Sequence, residues 1–289
     1  MSLEMTFKEG QRRFALRLDP LLVPPSEDGL FPPGSVIRTV YADASVTLGS
    51  GRALLLQLAH PAIAAGVHDH SDYENRPLDR LFGTLFAVSA VVFGSREEAD
   101  QIGAAIHRVH TGVVGPGYRA LDPELLGWVN ATLLGTAAML YQRLYRRLSP
   151  AELDQLAADS RRVGEVFGCP VGEQPGTWPA FRTYWNRVVG ELEVTDPARR
   201  VARSLLSGRG LPVRPAWLPP LAVARAVTAA TLPGRIREGY GLPWRARDRA
   251  LAAAALGGSK ALLPRAPLRW RQLGPELFRA PPATQGGAG

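Results

Sequence analysis

All five histidines of this 289-residue chain lie between positions 60 and 110, and none lies in the C-terminal 179 residues. They are His60, His68, His70, His107 and His110. A neutral imidazole is a common ligand of transition metals and of haem iron, so this segment is the first place to look for chemistry. A buried histidine is nevertheless more often a core group with satisfied nitrogens than a ligand. The spacing of the five histidines has to show which of them are candidate ligands and which are structural.

His107 and His110 are three residues apart in a predicted helix and therefore project from roughly the same side. Ile106, Val109 and Val113 share or flank that side, which predicts that it is partly buried. A histidine on an apolar helix face, opposite a flat hydrophobic partner, is what a proximal haem ligand requires. In the alternative, one histidine binds iron while the other anchors a propionate or packs.

Arg80 and Thr84 are four residues apart in LDRLFGTLFAVSAVVFG and share one face of another predicted helix. An arginine on an apolar helix has to be paired or to face a polar ligand, because an unpaired buried charge is costly. A haem propionate or bound oxygen would satisfy Arg80, and the Thr84 hydroxyl can donate to dioxygen or water. The pattern alone slightly favours the alternative, a surface arginine and a threonine bonded to its own helix backbone.

The other three histidines lie around one further predicted helix. His60 precedes Pro61, which disfavours helical backbone at His60 and predicts a break between two apolar, buried stretches. His68 and His70 stand among carboxylates in GVHDHSDY, near a predicted helix end. That pair could bind zinc, but a solvated helix C-terminus fits the pattern equally well.

The single cysteine, Cys169, excludes an internal disulfide and is typical of a reducing compartment. Cys169 could be a thiolate ligand of haem, but the Gly/Pro turn FGCPVG lacks the pattern that surrounds the cysteine of the cysteine-ligated monooxygenases. The sequence contains no H-E-x-x-H, G-x-S-x-G or Walker-type glycine motif. The histidine segment therefore remains the main candidate.

The elements that must position these residues are predicted to be helices. Four helix starts combine an N-cap residue with a capping-box glutamate or a first-position proline: Ser95 with Glu98, Asp122-Pro123, Ser149-Pro150 with Glu152, and Asp196-Pro197. Apolar residues recur at intervals of three and four between these starts, and no sustained period-two alternation occurs. We therefore expect an all-α fold of about ten to twelve helices.

Proline and glycine mark the expected boundaries. Residues 20–35 and 207–220 are predicted to be loops, and the tail from Ala280 is predicted to be disordered. The expected organisation is an N-terminal helix and Pro-rich loop over 1–34, one helical catalytic domain over 35–258, and a C-terminal segment over 259–289.

The net charge of +8 comes almost entirely from arginine, because only Lys8 and Lys260 are lysines. Such a bias, with abundant alanine, glycine and proline, is typical of a GC-rich genome. No nucleic-acid motif accompanies it, so no nucleic-acid partner is expected. The most apolar stretch, Leu81 to Phe93, is shorter than the roughly 20 residues that span a bilayer. With no apolar leader, we expect a cytoplasmic protein without stable membrane insertion.

Four segments in order carry a resemblance to a known family. RALLLQLAHPAIAAGVHDHS, RPLDRLFGTLFAVSAVVFGS, IHRVHTGVVG and ALDPELLGWVNATLL, followed by WPAFRTYW and LPGRIREGYGLPW, resemble the MpaB and rubber-oxygenase (latex-clearing protein) family. Each motif is weak alone, but their order and spacing over residues 35–245 are specific. The resemblance implies a single multi-helix domain, partly globin-like, that encloses a haem b pocket.

The same resemblance implies roles for individual residues. His110 corresponds to the proximal iron ligand, with His107 as a supporting group one turn earlier. Arg80 and Thr84 correspond to residues needed for activity, and His60 is expected to shape the pocket. Dioxygen, the co-substrate, is activated at the iron on the face opposite His110.

Family members insert oxygen across a carbon–carbon double bond of polyisoprene or cleave a prenyl side chain. Phe82, Phe86 and Met139 are candidate lining residues of an apolar pocket, although core packing explains each of them too. Gly83 stands where the rubber-cleaving branch has an iron-capping lysine, and Asn130 stands where many relatives have histidine. The resemblance therefore implies an oxygenase acting on a small, apolar, isoprenoid-like molecule rather than on rubber.

Two alternatives stay open at the level of sequence. One is a haem- or lipid-binding helical protein without turnover. The other is a non-haem metalloenzyme that uses His60, His68 and His70 as ligands.

Overall fold

The structure is a computed structural model that describes residues 26–43, 45–71, 77–207, 214–267 and 271. These residues contain thirteen α-helices, slightly more than expected. The first six are α1 (Val36–Tyr41), α2 (Ser45–Leu48), α3 (Ser50–Leu58), α4 (Pro61–His70), α5 (Pro77–Phe93) and α6 (Arg96–Thr111). The others are α7 (Pro123–Leu144), α8 (Pro150–Val166), α9 (Trp178–Glu191), α10 (Asp196–Ser207), α11 (Arg214–Thr231), α12 (Gly234–Gly239) and α13 (Ala246–Leu262). Short 3-10 helices occupy Val171–Glu173 and Leu263–Arg265.

Both predicted capping boxes are confirmed. At the start of α6, Ser95 Oγ accepts from the backbone N–H of Glu98 at 3.1 Å. The Glu98 carboxylate accepts from the Ser95 backbone N–H at 2.7 Å in return. Ser149 and Glu152 make the same reciprocal pair at the start of α8. Two of the four exposed N–H groups at each helix start are therefore satisfied locally.

The two Asp-Pro starts differ in detail from the prediction. Helix α7 begins at Pro123 as expected, but the Asp122 carboxylate accepts from Arg119 instead of capping the helix. Helix α10 begins at Asp196 itself, and the Thr195 hydroxyl accepts from the Ala198 N–H at 3.4 Å. The predicted N-cap at Asp196 is therefore wrong by one residue.

Helix α7 is the central element of the domain. It packs against α1, α2, α3, α8 and α13. Trp128 on α7 is fully buried, and its indole N–H donates to the Leu56 carbonyl of α3 at 3.0 Å. A second apolar cluster, formed by Leu140, Leu144, Val227 and Leu256, joins α7 to α11 and α13. The described residues thus form an all-α domain around one long buried helix.

A two-stranded ribbon interrupts the helices between α6 and α7. Strand β1 (Val114–Gly115) pairs antiparallel with β2 (Tyr118–Arg119) across a Pro116-Gly117 turn. Gly117 has a φ of 79°, which the second central position of such a turn requires. The sequence analysis missed this ribbon because two-residue strands are too short to show alternation. The signal that could have found it is the G-P-G turn.

Two predicted boundaries also shift. The expected loop over 207–220 is helical from Arg214 onward, even though α11 contains Pro219 and Pro220, and 208–213 lie outside the described residues. The boundary placed after residue 258 falls inside α13. The N-terminal helix and the tail from Ala280 lie outside the described residues as well. In the parts of the chain that are described, no helix combines the length and apolarity needed to cross a bilayer.

Candidate functional site

Helices α5 and α6 form a hairpin that brings the predicted site residues to one end. Only Gly94 and Ser95 separate the two helices, which pack against each other. Arg80 lies fourteen residues before this turn and His110 fifteen residues after it, so their backbones stand at about the same height. Thr84 and His107 stand one turn nearer the connection. The Arg80 side chain lies outside the described part of the structure.

The two histidines of α6 differ in exposure. His110 is half-buried, whereas His107 is exposed, and neighbouring Val109 is 66% exposed. The predicted partly buried face is therefore restricted to His110, Ile106 and Val113. Of the two imidazoles, His110 is the one shielded enough to face an apolar ligand.

Thr84 lines a cleft that encloses about 50 Å³; together with the open solvent in front of it, the empty space is about 600 Å³. Its lining comes from α5, from α7 and from the stretch that connects α1 to α3. The contributing side chains on α5 are Thr84, Leu85, Val88 and Ser89, and those on α7 are Leu133, Thr136 and Ala137. Mostly apolar walls with a few polar groups are typical of the lining of small-molecule sites.

The expected lining residues are only partly placed by the structure. Met139 does not line the cleft but packs on the second apolar cluster. The side chains of Phe82 and Phe86 lie outside the described residues. Gly83 is buried on α5 beside Thr84. His60, His107 and His110 are also absent from the described lining of the cleft.

Sequence reasoning missed Asp43, the only charged side chain among the described residues that line the cleft. Asp43 is 5% exposed and accepts from the Tyr145 hydroxyl at 2.7 Å. Arg271 lies 3.7 Å from the other carboxylate oxygen and 4.5 Å from the centre of the Tyr145 ring. Burial, and then this hydrogen bond, raise the pKa of Tyr145 well above its usual value. Asp43 carries no motif, and its partners are more than a hundred residues away in sequence.

His60 occupies the predicted break between helices. Its backbone is extended, with φ −82° and ψ 119°, directly before Pro61 opens α4. The ring is half-buried, and Nδ1 has no hydrogen-bond partner among the described residues. Burial lowers the pKa of His60, and the nearby Glu124 carboxylate partly opposes that shift. A neutral imidazole next to the start of α7 is what these contacts favour.

His68 and His70 lie in the last turn of α4, beside the β ribbon. A ring nitrogen of His70 is 3.2 Å from the Val114 carbonyl, and the ring packs edge-on to Tyr118. The Tyr118 hydroxyl donates to Asp69 at 2.7 Å. Across the described parts of the chain, no three His, Cys, Asp or Glu side chains are grouped to hold a metal ion. The metal site suggested for His60, His68 and His70 is therefore not assembled.

Cys169 is a buried thiol. Its Sγ donates to the Pro123 carbonyl at 3.4 Å, and burial raises its pKa to about 11. A metal ligand has to be a thiolate, so this environment disfavours the cysteine-ligated alternative.

Asn130 belongs to a packing network between α7 and α8. Its amide nitrogen lies 2.8 Å from the Ser160 carbonyl and 2.9 Å from Gln174 Oε1. Gln174 in turn donates to the carbonyls of Arg161 and Cys169. Asn130 therefore joins two helices to the following loop and does not line the cleft.

Comparison with known proteins agrees with the resemblance of the motifs. Residues 38–261 match the model of the family "ER-bound oxygenase mpaB/B'/Rubber oxygenase, catalytic domain". The chain is also 29% identical over 170 residues to an uncharacterized protein of Mycobacterium tuberculosis and to one of Mycobacterium bovis. Each alignment covers 55% of this chain and 66% of the relative, just under two thirds of its length. No solved structure matches the chain.

Proposed function

The chain belongs to the family of the mpaB and rubber-oxygenase catalytic domain, and from this premise we propose a haem b-dependent oxygenase that acts on an apolar, unsaturated small molecule. Membership by itself supports an oxygenase. The haem, the substrate class and the residue roles are the parts that we propose. The observation that carries them is the α5–α6 hairpin, which places Thr84 on a mostly apolar cleft and half-buried His110 on the adjoining helix.

We propose that a haem would be held at this end of the hairpin. Porphyrin supplies four ligands to iron, so one protein imidazole is sufficient, and no cluster of protein ligands is needed. His110 would hold the iron. Arg80 would face a propionate or bound gas, and His107 and His60 would contribute to the surroundings. When bound, the haem supplies the activation of dioxygen.

The protein's own contribution is orientation and the exclusion of water. Leu85, Val88 and Leu133 present apolar surface that would hold an unsaturated chain beside the Thr84 hydroxyl. That hydroxyl can donate one hydrogen bond to an oxygen atom held there. Buried Gly83 supplies no side chain that could cap an iron, in agreement with a small-molecule substrate rather than rubber.

The absorption spectrum of the purified protein, with a pyridine haemochrome assay, tests the cofactor. We expect bound haem b, and we expect His110→Ala to lose it or to shift its Soret band. His107→Ala is the matched control, because it removes an exposed imidazole from the same helix. A colourless protein that takes up no haemin would refute the proposal, and an unchanged spectrum in His110→Ala would reassign the ligand.

Oxygen consumption with prenyl-chain substrates separates turnover from mere binding. We expect consumption by the haem-loaded protein and a large loss in Arg80→Ala and in Thr84→Val. A haem-loaded protein that binds such chains but consumes no oxygen would be the non-catalytic binder instead.

A further inference from the structure

The cleft that Thr84 lines carries a single charge among its described lining residues, the carboxylate of Asp43. Much of the rest of the lining is apolar and includes Leu85, Val88 and Leu133. A few polar groups in such a lining usually fix the orientation of a small molecule. Asp43 is only 5% exposed, and a buried charge is costly unless other groups balance it. The partners of Asp43 therefore decide what the carboxylate can do in the cleft.

Two side chains hold Asp43 in place. The Tyr145 hydroxyl donates to Oδ1 at 2.7 Å, and a guanidinium nitrogen of Arg271 lies 3.7 Å from Oδ2. Neither Tyr145 nor Arg271 belongs to the described lining of the cleft. At 3.7 Å, Arg271 acts mainly through its charge, because charged hydrogen bonds are shorter, at about 2.7 to 2.9 Å. A carboxylate can accept from several donors at once, so the bond from Tyr145 does not exhaust it.

These contacts discriminate between the polar groups that a ligand could bring to Asp43. A carboxylate or phosphate would be repelled, and no Lys or Arg occurs among the described lining residues to offset the repulsion. An ammonium group would lose its hydration, while Arg271 already balances the charge of Asp43. A hydroxyl group donates a hydrogen bond to the carboxylate and brings no charge of its own. A neutral hydroxyl is therefore the group that fits best.

We propose that Asp43 determines the specificity of the cleft by accepting a hydrogen bond from a hydroxyl group at one end of an otherwise apolar, unsaturated substrate. The inference rests on the proposed function, which makes this cleft the substrate site, and it narrows the substrate to a prenyl-type alcohol. Tyr145 and Arg271 are positioning residues that act through Asp43. Arg271 lies beyond residues 38–261, so the matched catalytic domain does not include the cation that balances Asp43.

Isothermal titration calorimetry of the full chain under nitrogen tests the preference without turnover. The probes share one chain and differ at its end: geraniol, geranyl methyl ether, geranic acid and geranylamine. At neutral pH, geraniol should bind about tenfold or more tightly than the methyl ether, which keeps the oxygen but cannot donate. It should also bind more tightly than the charged acid and amine. Equal affinities for geraniol and its ether, tighter binding of the acid, or no binding of any probe would overturn the proposal.

These binding results are separate from the test of the oxygenase. A protein that prefers geraniol but holds no haem and consumes no oxygen would refute the proposed function and leave the role of Asp43 standing. A haem-loaded protein that consumes oxygen but binds geraniol and its ether equally would refute the role of Asp43 alone.

Variants then assign the preference to Asp43. Asp43→Asn should reduce the preference for geraniol over its ether to less than about threefold. It should also tighten the binding of geranic acid, a gain that misfolding does not produce. Asp69→Asn is the matched control, because Asp69 accepts from the Tyr118 hydroxyl at the same 2.7 Å but does not line the cleft. A loss of preference in Asp69→Asn, or unchanged binding of geranic acid in Asp43→Asn, would refute the proposal.

Arg271→Gln tests the balance of charge. With the cation removed, the carboxylate of Asp43 is no longer offset, so the affinity for geranylamine should rise by about tenfold while that for geraniol changes by less than about threefold. A purely structural role of Arg271 would weaken the binding of every probe alike. That outcome would refute its action through Asp43.

Discussion

Asp159 is a buried carboxyl group with a hydrogen-bond partner at only one of its two oxygens among the described residues. One oxygen accepts from Gln155 at 2.8 Å, and the other has no hydrogen-bond partner among the described residues. Burial raises the pKa of Asp159, while Gln155 and Arg162 partly oppose the shift. Because the folded pKa lies above the unfolded one, the native state binds the proton more tightly. The stabilisation by this proton is present at low pH and is lost as the pH rises through the folded pKa.

Asp159→Asn should therefore raise the urea midpoint of unfolding at neutral pH. The gain should vanish below the ordinary pKa of an aspartate, at about pH 3 to 4, where both folded and unfolded wild type are protonated. Urea titrations at several pH values measure this difference. A loss of stability in Asp159→Asn at neutral pH would show that the carboxylate has a partner that holds its charge.

Arg52 is a buried cation that joins three helices. It donates from α3 to the Thr231 carbonyl at the end of α11 at 2.9 Å and to the Thr136 hydroxyl on α7 at 2.6 Å. Its guanidinium also lies 5.1 Å from the centre of the Trp185 ring. Burial lowers its pKa to about 10, so it remains charged at neutral pH.

Arg52→Met keeps the length of the side chain but removes both donors. We expect a loss of about 2 to 3 kcal/mol in the free energy of unfolding, since charged hydrogen bonds within a buried site are lost. Arg143→Met, at an exposed position on α7, should change it by less than about 0.5 kcal/mol. Equal effects in urea denaturation would contradict the role assigned to Arg52.

At the scale of elements, arginine side chains also donate hydrogen bonds to carbonyls at the C-terminal ends of several helices. Arg38 donates to the Val92 carbonyl at the end of α5, and Arg235 to the Leu192 carbonyl after α9. Arg199 and Arg225 reach the Gly239 and Leu206 carbonyls in the same way. Carbonyls at helix C-termini lack partners within the helix. A cation there also interacts favourably with the negative end of the helix dipole. Part of the arginine excess that composition attributes to a GC-rich genome is therefore used by the fold.

The two kinds of helix start should contribute different amounts to the free energy of unfolding. Ser149→Ala removes a complete capping box from α8 and should cost about 1 kcal/mol. Asp122→Ala at the start of α7 removes only an exposed contact with Arg119, because the carboxylate does not cap, and should cost less than about 0.5 kcal/mol. Thermal unfolding of both variants measures the difference. A cost at Asp122 equal to that at Ser149 would indicate capping in solution.

Local chemistry explains which elements could be predicted. Capping boxes and the His60-Pro61 break depend on residues within a few positions of each other, so the sequence located α4, α6 and α8 correctly. The start of α11 was wrong because its prolines suggest a loop, whereas the packing of α11 on α13 and α3 supports a helix there. Asp43 with Tyr145 could not be predicted, since only the tertiary fold brings them together.

At the scale of the whole molecule, the order of the motifs was more informative than any one of them. The all-α class and the family followed from segments spread over most of the chain. The α5–α6 hairpin then follows from a short connection between two helical stretches, and it brings the backbones of Arg80 and His110 to about the same height. The cleft could not be foreseen, because its walls come from three regions that meet only after α3 packs against α7.

At the scale of the whole molecule, the close approach of α3 and α11 fixes how the two helices pack, and a single substitution at Gly51 can test it. A Cβ added to Gly51 would collide with Thr228 Oγ1 and lie 3.3 Å from the threonine Cβ and Cγ2. Thr228 is 1% exposed and β-branched, so it has little room to yield. Ser50 and Ala53, on either side of Gly51, line the cleft. Separating the two helices would therefore also move a wall of the proposed site.

Gly51→Ala should lower the free energy of unfolding by about 1 to 3 kcal/mol, even though alanine is the better helix former. Gly257→Ala is the matched control, because it lies inside exposed α13 with no atom near its added Cβ. It should raise the stability by up to about 1 kcal/mol. The two substitutions should change the free energy of unfolding in opposite directions in urea denaturation. The added methyl group collides with Thr228 at position 51 but has no neighbouring atom at position 257. A gain in both variants would mean that α3 and α11 do not touch at Gly51.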